Sequence, residues 1–436
     1  MSILTTTPNC YLLDCEPAFS KELVAGSDSW ILKPGEFDVD EPYFHERTPQ
    51  FARKEATDGP GQTGLDPTGP RKRRKFYTPS AADVGLHEHH ESIRDFLVGA
   101  LEEAGAVWAE ARKGVAMMQA PRSCAEGVDL LDEIDFVQQA ELVKIVKGFG
   151  GADIRQSNED DNEVIQLDKD TASTWDLPDL YGTVIKNPSV SKCKIIELAI
   201  GGQRYLIPPR ASSLISDISG ISSLLGHARQ LGGYDLIVID PPWPNKSATR
   251  SSHYATQDIY SLFQLPIPAL LRTVDTDTRS PPLIAVWITN KPKFRKFVTD
   301  KLFPAWGCEA VAEWYWVKMT TRCEPVIPLD SPHRKPYEPL IIGRPKLPPT
   351  AHLLPNAIPT HKAIVSVPCK RHSRKPPLGD VLSLWLPQDP QCLELFARCL
   401  SPGWTSWGNE CLKFQFEGYF ERRGNESPDG VSDGNS

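Results

Sequence analysis

From about residue 194 onward, short apolar runs alternate with helical or proline-rich stretches. The runs DLIVID (235–240), LIAVWIT (283–289), 310–318, 339–343 and 392–396 have strand length and are dense in Val, Ile, Leu and aromatic residues. Between them, Phe294, Phe297, Val298 and Leu302, then Leu378, Val381, Leu382 and Trp385, recur at helical spacing. This alternation predicts an α/β domain with a mainly parallel sheet and helices on both faces. In such sheets the functional crevice lies at the carboxyl ends of the strands. Upstream, Ile93, Phe96, Leu97, Ala100 and Leu101 share one helical face, and Leu130, Leu131, Ile134, Val137, Leu142, Ile145 and Val146 suggest a second helical pair that stops at Gly150-Gly151. The first 80 residues have little apolar period and include the linker-like DGPGQTGLDPTGP. The expected division is therefore a mostly disordered tail (1–80), a helical accessory domain (81–193), an α/β domain (194–422) and a second disordered tail (423–436).

A chain of 436 residues agrees with two or three such units at roughly 150 residues each. It holds no run of about 18 apolar residues, so no membrane-spanning helix is expected. The amino terminus lacks a basic stretch followed by a long apolar one, which argues against a secretory signal. Ten scattered cysteines without a C-x-x-C pair do not make a disulfide framework and suit a reducing compartment.

Net charge changes the picture once its distribution is seen. The total is −8, yet residues 241–380 hold 20 Lys and Arg against 10 Asp and Glu, a local +10. The remainder then carries −8 − 10 = −18. Phosphates respond to local potential, so this basic stretch points to a nucleic-acid partner. A separate run, Arg71-Lys72-Arg73-Arg74-Lys75, reads as a nuclear-import signal, with nucleic-acid tethering as the second reading; the nucleus is the expected compartment, with the cytoplasm or mitochondrion as alternatives. His87, His89 and His90 lack a complementary ligand pair and read as exposed helix positions, and Cys369 with His372 makes no zinc site, so no metal is expected.

The candidate chemistry begins with Asp240-Pro241-Pro242-Trp243 at the end of the LIVI strand. Two prolines fix φ and offer carbonyls without N–H groups, so a carboxylate and pure acceptors stand on a stiff loop. Trp243 is expected to supply a flat stacking platform. Together they suit the exocyclic amino group of a planar heterocycle. Acceptors that hold the hydrogens of adenine N6 localise its lone pair toward a methyl donor, so alignment and electrostatics do the catalytic work.

The DPPW tetrapeptide, the later His372-Ser373-Arg374-Lys375-Pro376, and LELFAR (393–398) followed by Trp407-Gly408-Asn409-Glu410 resemble the eukaryotic DPPW-type N6-adenine methyltransferase family. DPPWPNKS, VAEWYWVK, PLDSPHRKPYE and IVSVPC extend the resemblance to one branch of it, over about 194–420. It implies a Rossmann-like methyltransferase domain of permuted order, in which the catalytic strand precedes the strand that holds S-adenosyl-L-methionine. The missing G-x-G-x-x-G fingerprint fits that order. The resemblance further implies that Asp217 lies near the donor's adenine and that Asp240 faces donor and acceptor alike. Lys375 would meet the donor's carboxylate, Arg398 and Asn409 its ribose, and Glu410 its adenine or ribose edge.

Two loops should cover the acceptor: Asn245, Lys246 and Arg250 directly after the catalytic turn, and His333, Arg334 and Lys335 in PLDSPHRKPYE. The substrate the resemblance implies is N6 of an internal 2′-O-methyladenosine in spliceosomal small nuclear RNA, with DNA adenine as a further acceptor. The contrasting reading is a non-catalytic nucleic-acid-binding or scaffold subunit of a methyltransferase complex. Relatives of that kind lose the aspartate of the turn, which is present here. Nothing in the pattern speaks to oligomeric state, and no partner subunit is required by it.

Overall fold

Strands buried on both faces carry continuous apolar runs, and LIVI is one of them. In the computed structural model, which describes residues 3–13, 29–32, 39, 81–114, 164–168, 172–244, 259–273, 280–331, 334–347, 357–369 and 374–423, these runs form the middle of a 12-stranded sheet. The strands along the chain are β1 (Ile3–Thr6), β2 (Cys10–Leu13), β3 (Ser29–Leu32), β4 (Val164–Gln166), β5 (Ser173–Trp175) and β6 (Val184–Lys186). Next come β7 (Lys194–Leu198), β8 (Arg204–Ile207), β9 (Ser212–Ile215), β10 (Leu236–Ile239), β11 (Leu283–Trp287) and β12 (Cys308–Lys318). The last are β13 (Tyr337–Pro345), β14 (His361–Ser366), β15 (Cys392–Leu395), β16 (Trp404–Gly408) and β17 (Phe420–Arg423).

The sheet order is β1-β2-β14-β12-β13-β11-β10-β15-β16-β9-β6-β4. From β11 through β10, β15 and β16 to β9 every pairing is parallel. The hairpin β12–β13 introduces the antiparallel pairs on one side, and β6 pairs antiparallel with β9 on the other. After β10 the chain crosses to β11, whereas the neighbour on its opposite side is the late strand β15. The crevice therefore opens where the strand order reverses, at the carboxyl ends of β10 and β15.

Apolar layers cover both faces. On one, Ile237, Ile239, Leu393 and Leu395 pack with Leu224 and Ala228 of helix α2 (Ile221–Leu231) and with Phe294 and Phe297 of helix α3 (Pro292–Phe297). On the other, Leu236, Val238, Ala285 and Trp287 meet Leu378, Val381, Leu382 and Trp385. Helix α3 begins with Pro292 in its first turn, where the missing N–H costs nothing. The mainly parallel α/β architecture expected from the apolar pattern is the one observed, and the five strands read from the sequence are all present.

The division into units differs. Residues 1–80 are not wholly a tail: β1 and β2 extend the main sheet beside β14, and β3 pairs with β17. A four-residue apolar run shows no period, and the parallel partner of β2 lies some 350 residues away in sequence, so local pattern cannot reveal it. Nor do the described residues of 81–193 form a separate helical unit. Helix α1 (Ala81–Gly114) lays Ile93, Leu97, Ala100 and Ala104 on Leu12, Tyr315, Val317 and Val365 of the sheet. Each large side chain so buried contributes about 1.5–3 kcal/mol. Strands β4 and β6, from the same span, complete the opposite edge. The second helical pair, the Arg71–Lys75 run and residues 424–436 of the second tail lie outside the described residues, while Arg423 closes β17. Among the described residues, no helix is long and apolar enough to cross a membrane.

Candidate active site

β10 delivers Asp240 directly from its carboxyl end, one residue past Ile239, which is level with Leu395 of β15. The Asp240 carboxylate accepts from Lys375 Nζ at 2.9 Å, and both side chains are 14% exposed. Lys375 also stands 3.2 Å from Glu338, at the start of β13, and Glu338 is in turn paired with Lys318. Charges therefore alternate along Lys318, Glu338, Lys375 and Asp240. Burial alone would push the Glu338 carboxyl up, but the two ammonium groups outweigh it and hold it at about 2. Burial likewise disfavours the Lys375 ammonium, yet Asp240 and Glu338 overcome this and raise it above the usual lysine value. Lys375 is thus a permanent, fixed cation beside the turn.

The turn is closed at its backbone. The Trp243 N–H closes it by donating to Pro241 O at 2.8 Å, and a carbonyl keeps a second lone pair for another donor. Trp243 itself departs from expectation. It is 9% exposed, its Nε1 donates to Trp287 O at 2.7 Å, and its ring packs 4.6 Å from Phe294. An indole N–H must find an acceptor when buried, and here it finds the end of β11. Trp243 is an anchor that locks the turn to the sheet, and not an open stacking platform.

A cavity beside Asp240 is lined by Lys375, Glu394, Phe396, Arg398 and Trp404 among others. Glu394 sits across β15 between Val238 and Ser406. Burial, then the neighbouring Asp240 charge, pushes its carboxyl up to about 8. Phe396 adopts φ of 60°, a left-handed conformation rare for an aromatic residue, and its ring stands edge-on to Trp407 with the ring centres 5.6 Å apart. This sharp turn brings Arg398 back to the crevice. Gly408 permits the close approach of β16: a Cβ there would lie 3.1 Å from Ala397 N. Arg398 Nε donates to Glu410 at 3.0 Å, and Lys413 Nζ reaches the same carboxylate at 2.8 Å. Asn409 follows Gly408 directly, and Asp217 follows β9, whose Ile215 is level with Gly408. Asp217, Asp240, Arg398, Asn409 and Glu410 therefore cluster at the carboxyl ends of four adjacent strands, β9, β16, β15 and β10. Lys375 joins them from the segment that precedes β15.

A family model described as MT-A70 matches residues 234–410, a span that begins just before β10 and ends at Glu410. The human protein named N(6)-adenine-specific methyltransferase METTL4 is 38% identical over 404 residues, covering 90% of this chain and 80% of its own length. The chain belongs to the MT-A70 family. It is accordingly a methyltransferase. Other similar members are an N6-methyladenosine RNA methyltransferase from Pyricularia oryzae, 40% identical over 49% of this chain and 55% of its own, and a Caenorhabditis elegans DNA N6-methyl methyltransferase, 36% identical over 51% and 57%.

Of the acceptor-loop residues read from the sequence, Asn245, Lys246, Arg250 and His333 lie outside the described residues. Arg334 is exposed, and Lys335 Nζ donates to Leu329 O at 3.3 Å. The histidines of α1 are not all surface positions. His87 is exposed, but His89 lies 3.4 Å from Glu313, and His90 is 1% exposed. His90 contacts the Tyr337 hydroxyl at 3.2 Å and Asp330 at 3.1 Å, while Arg94 Nε and Nη2 each donate to Asp330 at 2.8 Å. A helix read as accessory thus holds the loop that carries Arg334. Sequence reasoning also missed Glu338 and Glu394. Each is a single acid in its strand, and only charges that the fold brings near mark them: Lys318 and Lys375 for Glu338, Asp240 for Glu394. Part of the basic stretch is committed internally: Arg272 to Asp235, Arg295 to Glu313 and Arg344 to Glu309. Among the described residues no group of three or more His, Cys, Asp or Glu could hold a metal ion.

Proposed function

We propose that the protein transfers a methyl group from S-adenosyl-L-methionine to N6 of adenine in a nucleic acid. The observation that carries this reading is the buried Asp240–Lys375 pair on a proline-stiffened turn, at the crevice where four parallel strands end. The donor set suits the cofactor: an ammonium at Lys375 for its carboxylate, and Arg398, Asn409, Glu410 and Asp217 for hydroxyl and amine edges. When bound, the cofactor supplies an electrophilic methyl group on a sulfonium.

The chain's own residues do the rest by placement. Asp240 and the remaining lone pair of Pro241 O accept the two N6 hydrogens, which turns the nitrogen lone pair out of the ring plane. As N6 gains the methyl group it becomes acidic, and its proton passes to the Asp240 carboxylate. Trp243 keeps the turn from yielding under that load. The presence of Asp240 in the turn favours this reading over a scaffold role, because non-catalytic relatives lose this aspartate.

The acceptor we favour is N6 of an internal 2′-O-methyladenosine in small nuclear RNA, and the nucleus is the proposed compartment. Relatives named for RNA and for DNA both exist, so the decisive experiment offers both. The protein is incubated with methyl-labelled cofactor and matched RNA and DNA oligonucleotides, with and without 2′-O-methylation of the target. Label at N6 of the 2′-O-methylated RNA is expected. Label on DNA alone would reassign the substrate, and no label on any strand would defeat the activity.

A further inference from the structure

Large exposed apolar side chains are few among the described residues, and the only aromatic ones are Tyr260 and Phe263, at 54% and 38% exposure. They are neighbours. Their rings stack 6.2 Å apart at 18°, on the short helical turn Ile259–Gln264 that Leu262 pins into the core. Each meets Phe297 edge-on, at 5.8 and 5.5 Å, and Phe297 stands edge-on to Trp243 at 6.5 Å. A continuous aromatic ladder therefore runs from the catalytic turn to the surface.

The ground around the outer rungs is basic. Residues 290–301 hold five cations and one acid. Arg295 is committed to Glu313, and Lys291 Nζ reaches Pro244 O, the residue after the DPPW turn, at 3.3 Å. Lys293, Lys296 and Lys301 are exposed, with the Lys293 ammonium 4.8 Å over the Phe294 ring. Aromatic faces interleaved with cations are the recurring surface for single-stranded nucleic acid, in which bases stack and phosphates find charge.

We propose that Tyr260 and Phe263 form a stacking subsite for an unpaired nucleobase flanking the target adenine, with the lysines of α3 meeting its phosphates. The inference rests on the nucleic-acid reading of the active site and adds what that reading lacks, a grip on the strand beside the flipped base. Stacking tolerates any base, so the subsite lends affinity and register without sequence preference.

The test is a cycle in which the full-length protein and the RNA are each altered. The probe is a fluorescein-labelled uridine tract with one central 2′-O-methyladenosine, and a second version carries an abasic site on each side of it. Tyr260→Ala with Phe263→Ala should weaken binding of the intact strand about tenfold, and the abasic strand should bind wild-type protein about as poorly. Variant and abasic strand together should lose no more, because both remove one contact. Tyr260→Phe should bind as wild type, and affinity for the demethylated cofactor product should not move. Additive losses, or an alanine variant that binds the intact strand normally, would overturn the subsite. A variant that keeps RNA affinity but loses self-association would reassign the patch to a protein contact. Binding is read without methyl transfer, so a strand held through this patch yet never methylated defeats the proposed activity alone. Methylation by wild type with an additive cycle defeats the subsite alone.

Discussion

Replacing Asp240 by Asn preserves the side-chain shape but removes the charge that Lys375 meets at 2.9 Å. Methyl transfer should fall about 10²-fold or more, because the amide cannot hold an N6 hydrogen as strongly or take its proton. The fold should survive. Breaking a buried pair commonly costs about 3–5 kcal/mol, but Glu338 remains to satisfy Lys375, so the loss should be smaller. Label incorporation beside circular dichroism checks both halves, and near wild-type turnover would sink the mechanism. Glu394 carries a prediction of a different kind. Its carboxyl ionises near 8 in the folded protein, against about 4.5 when unfolded. Between those values the folded state holds a proton that the unfolded state has released, so stability declines as pH rises through the window. Glu394→Gln mimics the protonated form. It should melt close to the wild type at pH 5 and be more stable at pH 8.5, by about 4 kcal/mol. An equal difference at both pH values would show that Glu394 does not titrate this way.

At the scale of elements, α1 and the loop before β13 act as one device. Arg94 grips Asp330 through two nitrogens, and His90 bridges Asp330 to the Tyr337 hydroxyl. Planar two-point pairing fixes orientation as well as distance, so the clamp sets where Arg334 and Lys335 stand. Arg94→Ala and Asp330→Asn should each raise KM for nucleic acid several-fold, and leave affinity for the demethylated cofactor product unchanged. The double variant should be no worse than Asp330→Asn alone, since that substitution already weakens the carboxylate that Arg94 holds. Loss of cofactor affinity in these variants would mean the loop serves the donor side. The same reasoning explains why β12 and β13 are long and paired with α1 over them: they carry Glu338 and the loop to the crevice from the far side of the sheet.

For the whole molecule, the amino-terminal strands belong to the core. Cys10, Tyr11, Leu12 and Leu13 are 0–3% exposed, and β2 covers β14 in parallel register. Removing residues 1–13 should cost on the order of 5 kcal/mol or more, comparable with the stability of an entire domain. A thermal melt of the shortened protein beside the full chain is the measurement, and an unchanged midpoint would show that β2 is dispensable. What the sequence alone determined were the features whose cause is local. The apolar runs within β10, β11, β12, β13 and β15 could be read because strands buried largely on both faces are dense in apolar residues. The DPPW turn could be read because proline acts on the backbone of its own residue and the one before it. Tertiary structure decided whatever depends on residues far apart in the chain. It recruited β2 to a partner some 350 residues away, turned Trp243 inward onto Trp287, and joined Glu338 to Lys375 and His90 to Tyr337. A pairing partner, a buried hydrogen-bond acceptor or a neighbouring charge is a property of the folded neighbourhood, and no window along the chain contains it.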